Sequence, residues 1–364
     1  MKIAIYHPGI KTMGGGETVS LTIASALSRA HSVDLICHEN VESERLQEFF
    51  GLNLSKVRFR VHPQTLHIFN TLKTAINLKS TYPIMDEYDL IIDTFTNGWF
   101  DRKLKAKTIC YIHYPFFYPR KKGLKSIINP FMIFPDRAFC YDKILCNSNF
   151  TKQITSKMTE KKVDVLYPPV QTSNIKPRKK QNIIVSVGRF TYDKKHEVMI
   201  KAFKEFYKHQ KGYELHLIGQ FMKDVGIYKK SYLRMLEEQI KGYPIWLHMN
   251  MPHEDVLRFL EKSRIYWHAR GYGETDPNEY ENFGITTVEA MAAGCIPIVI
   301  NLGAQPEVVG KGGLIWDNPA ELPELTTKAI QGPDRLTQAA NAAAKKFSLE
   351  IFLKGLNKAL KSLE

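Results

Sequence analysis

Short apolar runs of four to six residues alternate with helix-period segments along this chain, and the alternation occurs twice. Ile3 to Tyr6, Val33 to Cys37, Leu90 to Asp93, Thr108 to His113 and Lys143 to Asn147 read as buried strands, with a helical pattern from about Glu17 to Arg29. The pattern restarts after residue 181. Ile183 to Val187, Glu214 to Ile218, Ile245 to Met249, Ile265 to His268 and Ile296 to Ile300 are the strands. Helices are expected at Glu197 to His209, Tyr232 to Lys241, Glu254 to Lys262 and Ile285 to Ala293. Such runs have no polar face to show to water, so they need helices on both sides, which is the geometry of a parallel sheet. The expectation is α/β: two consecutive doubly wound, Rossmann-like domains, with a ligand in the cleft at the carboxyl ends of the strands.

The 364 residues exceed what one ordinary core holds, which agrees with two domains. The boundaries read as a first domain over 1–172, a polar linker over 173–181, a second domain over 182–347, and a terminal helix over 348–364 placed to pack back on the first domain. Pro177 amid Lys176, Arg178, Lys179 and Lys180 marks the linker. No apolar stretch is long enough to cross a membrane, and the start Met1-Lys2-Ile3-Ala4-Ile5-Tyr6 reads as a strand without the pattern of a signal peptide. Five cysteines without a C-x-x-C pair, each in apolar sequence, suggest buried thiols in a reducing compartment and hence a cytoplasmic location.

The net charge of +14 calls for an anionic partner. Half of it lies between Asp101 and Lys125, where eight basic residues face one acid: Arg102, Lys103, Lys105, Lys107, Arg120, Lys121, Lys122 and Lys125. Tyr111, Tyr114, Phe116, Phe117 and Tyr118 interleave with them, and an apolar run from Ile127 to Phe134 follows. Cations beside aromatics and an apolar segment suit the surface of an anionic membrane, with Arg120, Lys121, Lys122 and Lys125 as its contact patch. Single-stranded nucleic acid or a plain solvated face would use the same residues, but a nucleic-acid reading leaves the motifs of the second half unexplained.

The densest of those motifs is Glu281-Asn282-Phe283-Gly284-Ile285-Thr286-Thr287-Val288-Glu289, running into Ala290-Met291-Ala292-Ala293-Gly294. Two carboxylates stand eight positions apart around a glycine that opens a helix. If all eight were helical they would span about 12 Å, roughly the reach from the sugar to the ribose of a nucleotide sugar. One acid could bind sugar hydroxyls and the other a ribose diol, with backbone N–H groups near Phe283 and Gly284 turned to an anion. Read alone, the two acids also fit a capped helix with an acidic first turn.

Gly188-Arg189-Phe190-Thr191-Tyr192-Asp193-Lys194-Lys195 lies between a strand and a helix. Arg189 offers a planar fork and Lys194 a point charge, a pair suited to a diphosphate and equally common as surface cations. There is no Asp-x-Asp pair and no His/Cys cluster at metal-ligand spacing, so protein cations are expected to balance the leaving-group charge without a metal or cofactor. Gly14, Gly15, Gly16 and Glu17 lie between the first strand and its helix, where glycines let a ligand approach the backbone closely; a flexible turn is the plainer alternative. His113 ends a strand and could bond a sugar hydroxyl, though a lone histidine is more often structural. Gly303-Ala304-Gln305-Pro306-Glu307 reads as a turn and helix cap near the same cleft.

In this order the pieces resemble the retaining glycosyltransferases of the GT-B fold in family 4. Within them the chain is most similar to the α-1,2-mannosyltransferases of dolichol-linked oligosaccharide assembly, through Tyr6-His7-Pro8, Gly14 to Glu17, His113-Tyr114-Pro115, Asn147-Ser148, Tyr167-Pro168-Pro169 and Glu281-Asn282-Phe283-Gly284-Ile285. It departs from them at Asn282, often His there, and is expected to be without the N-terminal membrane anchor of the eukaryotic members. The resemblance implies that Arg189 and Lys194 hold the donor diphosphate as it leaves, Glu281 contacts the donor sugar, and Glu289 binds the ribose. It further implies that Gly188, Phe283, Gly284 and Ile285 line the donor, that His113 orients the sugar, and that Gly14 to Glu17 close over donor or acceptor. The substrates implied are a nucleotide sugar, GDP-mannose or alternatively a UDP- or ADP-sugar, and a lipid-linked glycan, at the cytoplasmic face of a membrane.

Overall fold

The computed structural model describes residues 1–10, 14–62, 80–95, 103–115, 139–221 and 227–363. The contact patch Arg120, Lys121, Lys122 and Lys125 lies outside the described residues, as does Arg102. The chain divides into two units, Met1–Pro169 with Glu350–Glu364, and Val170–Leu349.

The first unit is built on seven parallel strands: β1 (Lys2–Tyr6), β2 (Ser32–Cys37), β3 (Val57–Val61), β4 (Leu90–Asp93), β5 (Lys107–Ile112), β6 (Lys143–Cys146) and β7 (Val163–Val165). Their order is β3-β2-β1-β4-β5-β6-β7. The second unit has six parallel strands: β8 (Gln181–Val187), β9 (Glu214–Gly219), β10 (Ile245–Met249), β11 (Ser263–His268), β12 (Ile296–Ile300) and β13 (Leu314–Trp316), in the order β10-β9-β8-β11-β12-β13. Both sheets reverse their winding beside their first strand, between β1 and β4 and between β8 and β11. In open α/β sheets ligands gather at the carboxyl ends of the strands flanking such a switch point.

The apolar runs become central strands because both their faces are covered. Along β1, Ile3 and Ile5 enter one cluster with Val19 and Ile23 of the helix Gly15–Leu27, while Ala4 and Tyr6 enter another with Ile91 and Ile112. Strand residues alternate between faces, so one run serves two cores. The terminal helix Leu349–Lys361 presents Phe352, Leu356 and Ala359 to the first of these clusters, one stripe of a 3.6-residue period. In the second unit Trp267 is fully buried and its indole N–H donates to Thr326 Oγ1 at 3.1 Å, which satisfies the one polar atom the ring brings inside.

The segment 173–181 differs from its reading as a linker. It belongs to the second unit and is bonded along its length. Glu261 accepts from the Lys176 N–H and from Arg178 Nε, both at 2.9 Å. Lys180 Nζ donates to the carbonyls of Ala293 (2.6 Å) and Glu261 (2.9 Å). The cations that looked like the marks of a solvated tether neutralise a buried acid and cap helix ends. Three short strands, β3, β7 and β13, were also absent from the sequence reading: β3 and β7 are edge strands with partly exposed residues, and so is β13.

Candidate functional site

The two switch points carry the site residues. In the second unit, β8 runs into Gly188 and Arg189, a single 3-10 turn covers Tyr192–Lys194, and a helix begins at His196. Next to β8, β11 ends at His268 and leads to Arg270. Between these two strand ends stands Glu281.

Glu281 is ringed by cations. Lys194 Nζ donates to Oε2 at 2.8 Å, His268 Nε2 lies 3.5 Å from the same oxygen, and Arg270 Nη1 lies 3.5 Å from Oε1. Burial alone would raise this carboxyl's pKa, but Lys194, His268 and Arg270 more than reverse it, so the group is held well below the usual range and is ionised. Arg270 is held in turn by the Glu279 carbonyl at 3.2 Å and Asp193 Oδ2 at 3.5 Å. Arg189 is different. It is exposed and forms no ion pair among the described residues, so its charge is available to a ligand. Gly188 sits against the aliphatic stem of Lys194 and leaves it room.

The spacing argument for the two glutamates needs a correction. The helix begins only at Ile285 and runs to Ala292, so Glu281 lies in the preceding loop and the interval is not a continuous helical rise. Gly284 caps that helix with φ +97°, a conformation that side chains resist, and an added Cβ would stand 2.3 Å from Gln305 Nε2. Gln305, fully buried, donates to the Phe283 carbonyl at 2.9 Å and accepts from Thr287 Oγ1 at 2.9 Å. The Ala304 N–H donates to the Glu281 carbonyl at 2.8 Å. The Gly303 to Glu307 segment therefore braces the glutamate loop from behind. Phe283 turns its ring into the core against Phe347, which leaves its main chain at the helix start. N–H groups of a first helical turn have no intrahelical acceptor, so Gly284 and Ile285 offer donors and a positive dipole end to an anion.

Glu289 occupies the helix itself, buried among Thr287, Val288 and Ala290 to Ala292. Its one charged neighbour among the described residues is His253, whose Nε2 is 3.4 Å from Oε1. Burial lowers the pKa of that imidazole, so it is a weak source of charge. Burial pushes Glu289 up to about 8, so near neutrality the group is largely a protonated acid that can both donate and accept.

In the first unit the helix begins at Gly15 rather than Glu17, so Gly15 and Gly16 are its opening residues and Gly14 its N-cap. This corrects the reading of Gly14 to Glu17 as a loop. Glu17, buried, reaches back to accept from the Gly14 N–H at 2.8 Å, which satisfies one of the orphan donors and favours early helix start. At the end of β1, His7 is enclosed: Ser20 Oγ and Thr94 Oγ1 lie 2.8 and 3.0 Å from Nδ1, and Glu17 Oε1 lies 3.5 Å from Nε2. His113 follows β5 next to Gly16 and His7. Enclosure, aided by His7 and opposed by Glu17 and a Thr94 backbone bond, brings its pKa down to about 4, so the imidazole is neutral at pH 7.

Sequence reasoning missed the places of His268, Arg270 and Asp193 around Glu281, and of Ser20 and Thr94 around His7. The strand-end rule that selected His113 also points to His268 and His7, since each closes or directly follows a strand at a switch point. Ser20 and Asp193 carry no such mark.

Two parallel doubly wound sheets, each with a polar cluster at its switch point, define an architecture of two Rossmann-like domains. Residues 13–174 match the family described as Glycosyltransferase Family 4, and residues 171–346 match Glycosyl transferases group 1. The chain belongs to the GT-B glycosyltransferases, with a family 4 domain followed by a group 1 domain. The alpha-1,3/1,6-mannosyltransferase of Candida glabrata is 23% identical over 400 residues, across 93% of this chain and 86% of that protein. The GDP-Man:Man(3)GlcNAc(2)-PP-Dol alpha-1,2-mannosyltransferase of Xenopus laevis is 29% identical over 368 residues, across 83% of this chain and 73% of that protein. Anabaena Alr3699/HepE, solved in complex with UDP and glucose, shares the fold with a TM-score of 0.74 at 15% identity, over 100% of both chains. Among the described residues no helix is long and apolar enough to cross a membrane.

Proposed function

We propose that this glycosyltransferase takes mannose from GDP-mannose and transfers it, with retention at the anomeric carbon, to a lipid-linked saccharide at a membrane surface. The observation that carries the reading is the pair of acids in the second unit: an ionised Glu281 held by Lys194 and Arg270, and a buried Glu289 eight positions on. Support for the donor is a relative described as acting on GDP-Man and a PP-Dol-linked saccharide.

Glu281 accepts hydrogen bonds from hydroxyls of the donor sugar. Glu289, able to give and take a hydrogen bond, holds the ribose diol. Arg189, Lys194 and the helix N-terminus at Gly284 and Ile285 face the diphosphate. As the bond from C1 to the phosphate oxygen breaks, negative charge grows on the diphosphate, and cations already in place lower the barrier. The acceptor hydroxyl attacks C1 from the face the diphosphate leaves, and its proton passes to a departing phosphate oxygen. The basic, aromatic window from Asp101 to Lys125 holds the enzyme on anionic lipid, close to a pyrophosphate-linked acceptor.

The test is transfer from GDP-mannose to a pyrophosphate-linked lipid saccharide on anionic vesicles, with the anomeric configuration of the product read by NMR. An α-mannosyl product is expected. Transfer from UDP-glucose to a soluble sugar instead would install the second reading, which HepE bound to UDP and glucose favours. Vesicle binding that ignores anionic lipid, or survives neutralising Arg120, Lys121 and Lys122, would remove the membrane part.

A further inference from the structure

Lys194, the cation placed for the diphosphate, is paired with Glu281, the acid placed for the sugar. Lys194 Nζ and Glu281 Oε2 are 2.8 Å apart, and both side chains are largely shielded from water. A donor must draw Lys194 toward its phosphates, and a shielded carboxylate that loses its partner is costly, several kcal/mol in typical cases. Something has to hold Glu281 when Lys194 leaves. His268 does so weakly, because burial keeps its imidazole on the neutral side.

Arg270 is placed for the task. Its Nη1 faces the other carboxylate oxygen, Oε1, at 3.5 Å, a distance with room to shorten. Its Nε is tethered to the Glu279 carbonyl at 3.2 Å and lies 3.5 Å from Asp193, the residue before Lys194. One guanidinium therefore bridges the diphosphate loop and the sugar-binding acid, from the side opposite Lys194. We propose that Arg270 is a positioning residue that takes over Glu281 when Lys194 moves to the donor diphosphate. This exchange rests on the donor-site reading above and names the residue that makes the site switchable. Without Arg270, Lys194 stays tied to Glu281 and the diphosphate loses a cation.

The experiment titrates GDP, UDP, guanosine and uridine into the wild type, R270Q, E281Q and the R270Q/E281Q pair by calorimetry. For whichever diphosphate the wild type binds, R270Q is expected to weaken binding about tenfold, the scale of one lost charge contact, with the parent nucleoside unaffected. In the E281Q background Lys194 is already released, so R270Q should change the affinity less than about twofold. If R270Q does not fold, R270K carries the same test, with about a threefold loss beside Glu281 and none in the E281Q background, because lysine lacks the fork. Wild-type affinity in R270Q, or an equal loss in both backgrounds, overturns the exchange and leaves the donor site standing. Failure of the wild type to bind either diphosphate overturns the donor site and the exchange together.

Discussion

Glu281 and Glu289 are the same residue, eight positions apart, and the fold gives them opposite charge states. Glu281 lies in a loop at the meeting of two strand ends, where Lys194, His268 and Arg270 converge, and stays ionised despite burial. Glu289 lies on a helix packed into the core, where burial meets no compensating cation among the described residues beyond the weakly basic His253 and its pKa rises to about 8. The difference teaches that a motif of two acids is not one function repeated. A fixed anion suits hydroxyls near the centre where charge develops, and a neutral acid suits a diol that needs both a donor and an acceptor.

The contrast breaks most sharply at Glu281. Replacing it with Gln removes the anion and leaves Lys194 and Arg270 shielded without their acid. Transfer should fall by about a hundredfold to a thousandfold and the stability by about 3 kcal/mol, read by steady-state rates and denaturant melts. A variant with unchanged turnover would make Glu281 a structural acid. Arg189→Gln tests the cation that no carboxylate holds. Its kcat should drop about a hundredfold with the melting temperature unmoved, since the side chain is exposed; a lower melting temperature would mean a structural role instead.

On the other side of the comparison, Glu289→Ala should raise the donor KM about tenfold to fiftyfold, with a smaller effect on kcat, because the ribose contact is made in ground state and transition state alike. Glu289→Gln sharpens the charge claim. A carboxyl whose pKa is raised on folding from 4.5 to about 8 favours the folded state below about 4.5, and that advantage is lost as the pH climbs to about 8. The variant should therefore melt with the wild type at pH 4 and above it at pH 9, by a few degrees. Matching melting curves at both pH values would show that folding leaves the pKa of Glu289 unshifted.

Much of the fold was legible because parallel sheets write themselves as apolar runs. β4, β10 and β12 coincide with the runs in the sequence, residue for residue. β3, β7 and β13 were not legible because β3 and β7 carry charged residues within their runs and β13 is only three residues long, whereas β10, also an edge strand, keeps a mostly apolar run. Within the site, Glu281, Glu289, Arg189, Lys194 and Gly284 stood out because loop, glycine and charge fall together in two short strings. Arg270 did not. Its partner Asp193 is more than seventy positions away, and only the adjacency of β8 and β11 brings it to Arg270 and Glu281. The basic residues of 173–181 misled for a related reason: their acid, Glu261, lies more than eighty positions away.

The most direct measurement is a crystal structure of the chain with GDP-mannose. The account requires the diphosphate within hydrogen-bond reach of Arg189 and Lys194, the ribose diol on Glu289 and the sugar on Glu281. A nucleotide seated elsewhere, or turned so that its base and ribose lie against Glu281, would contradict it.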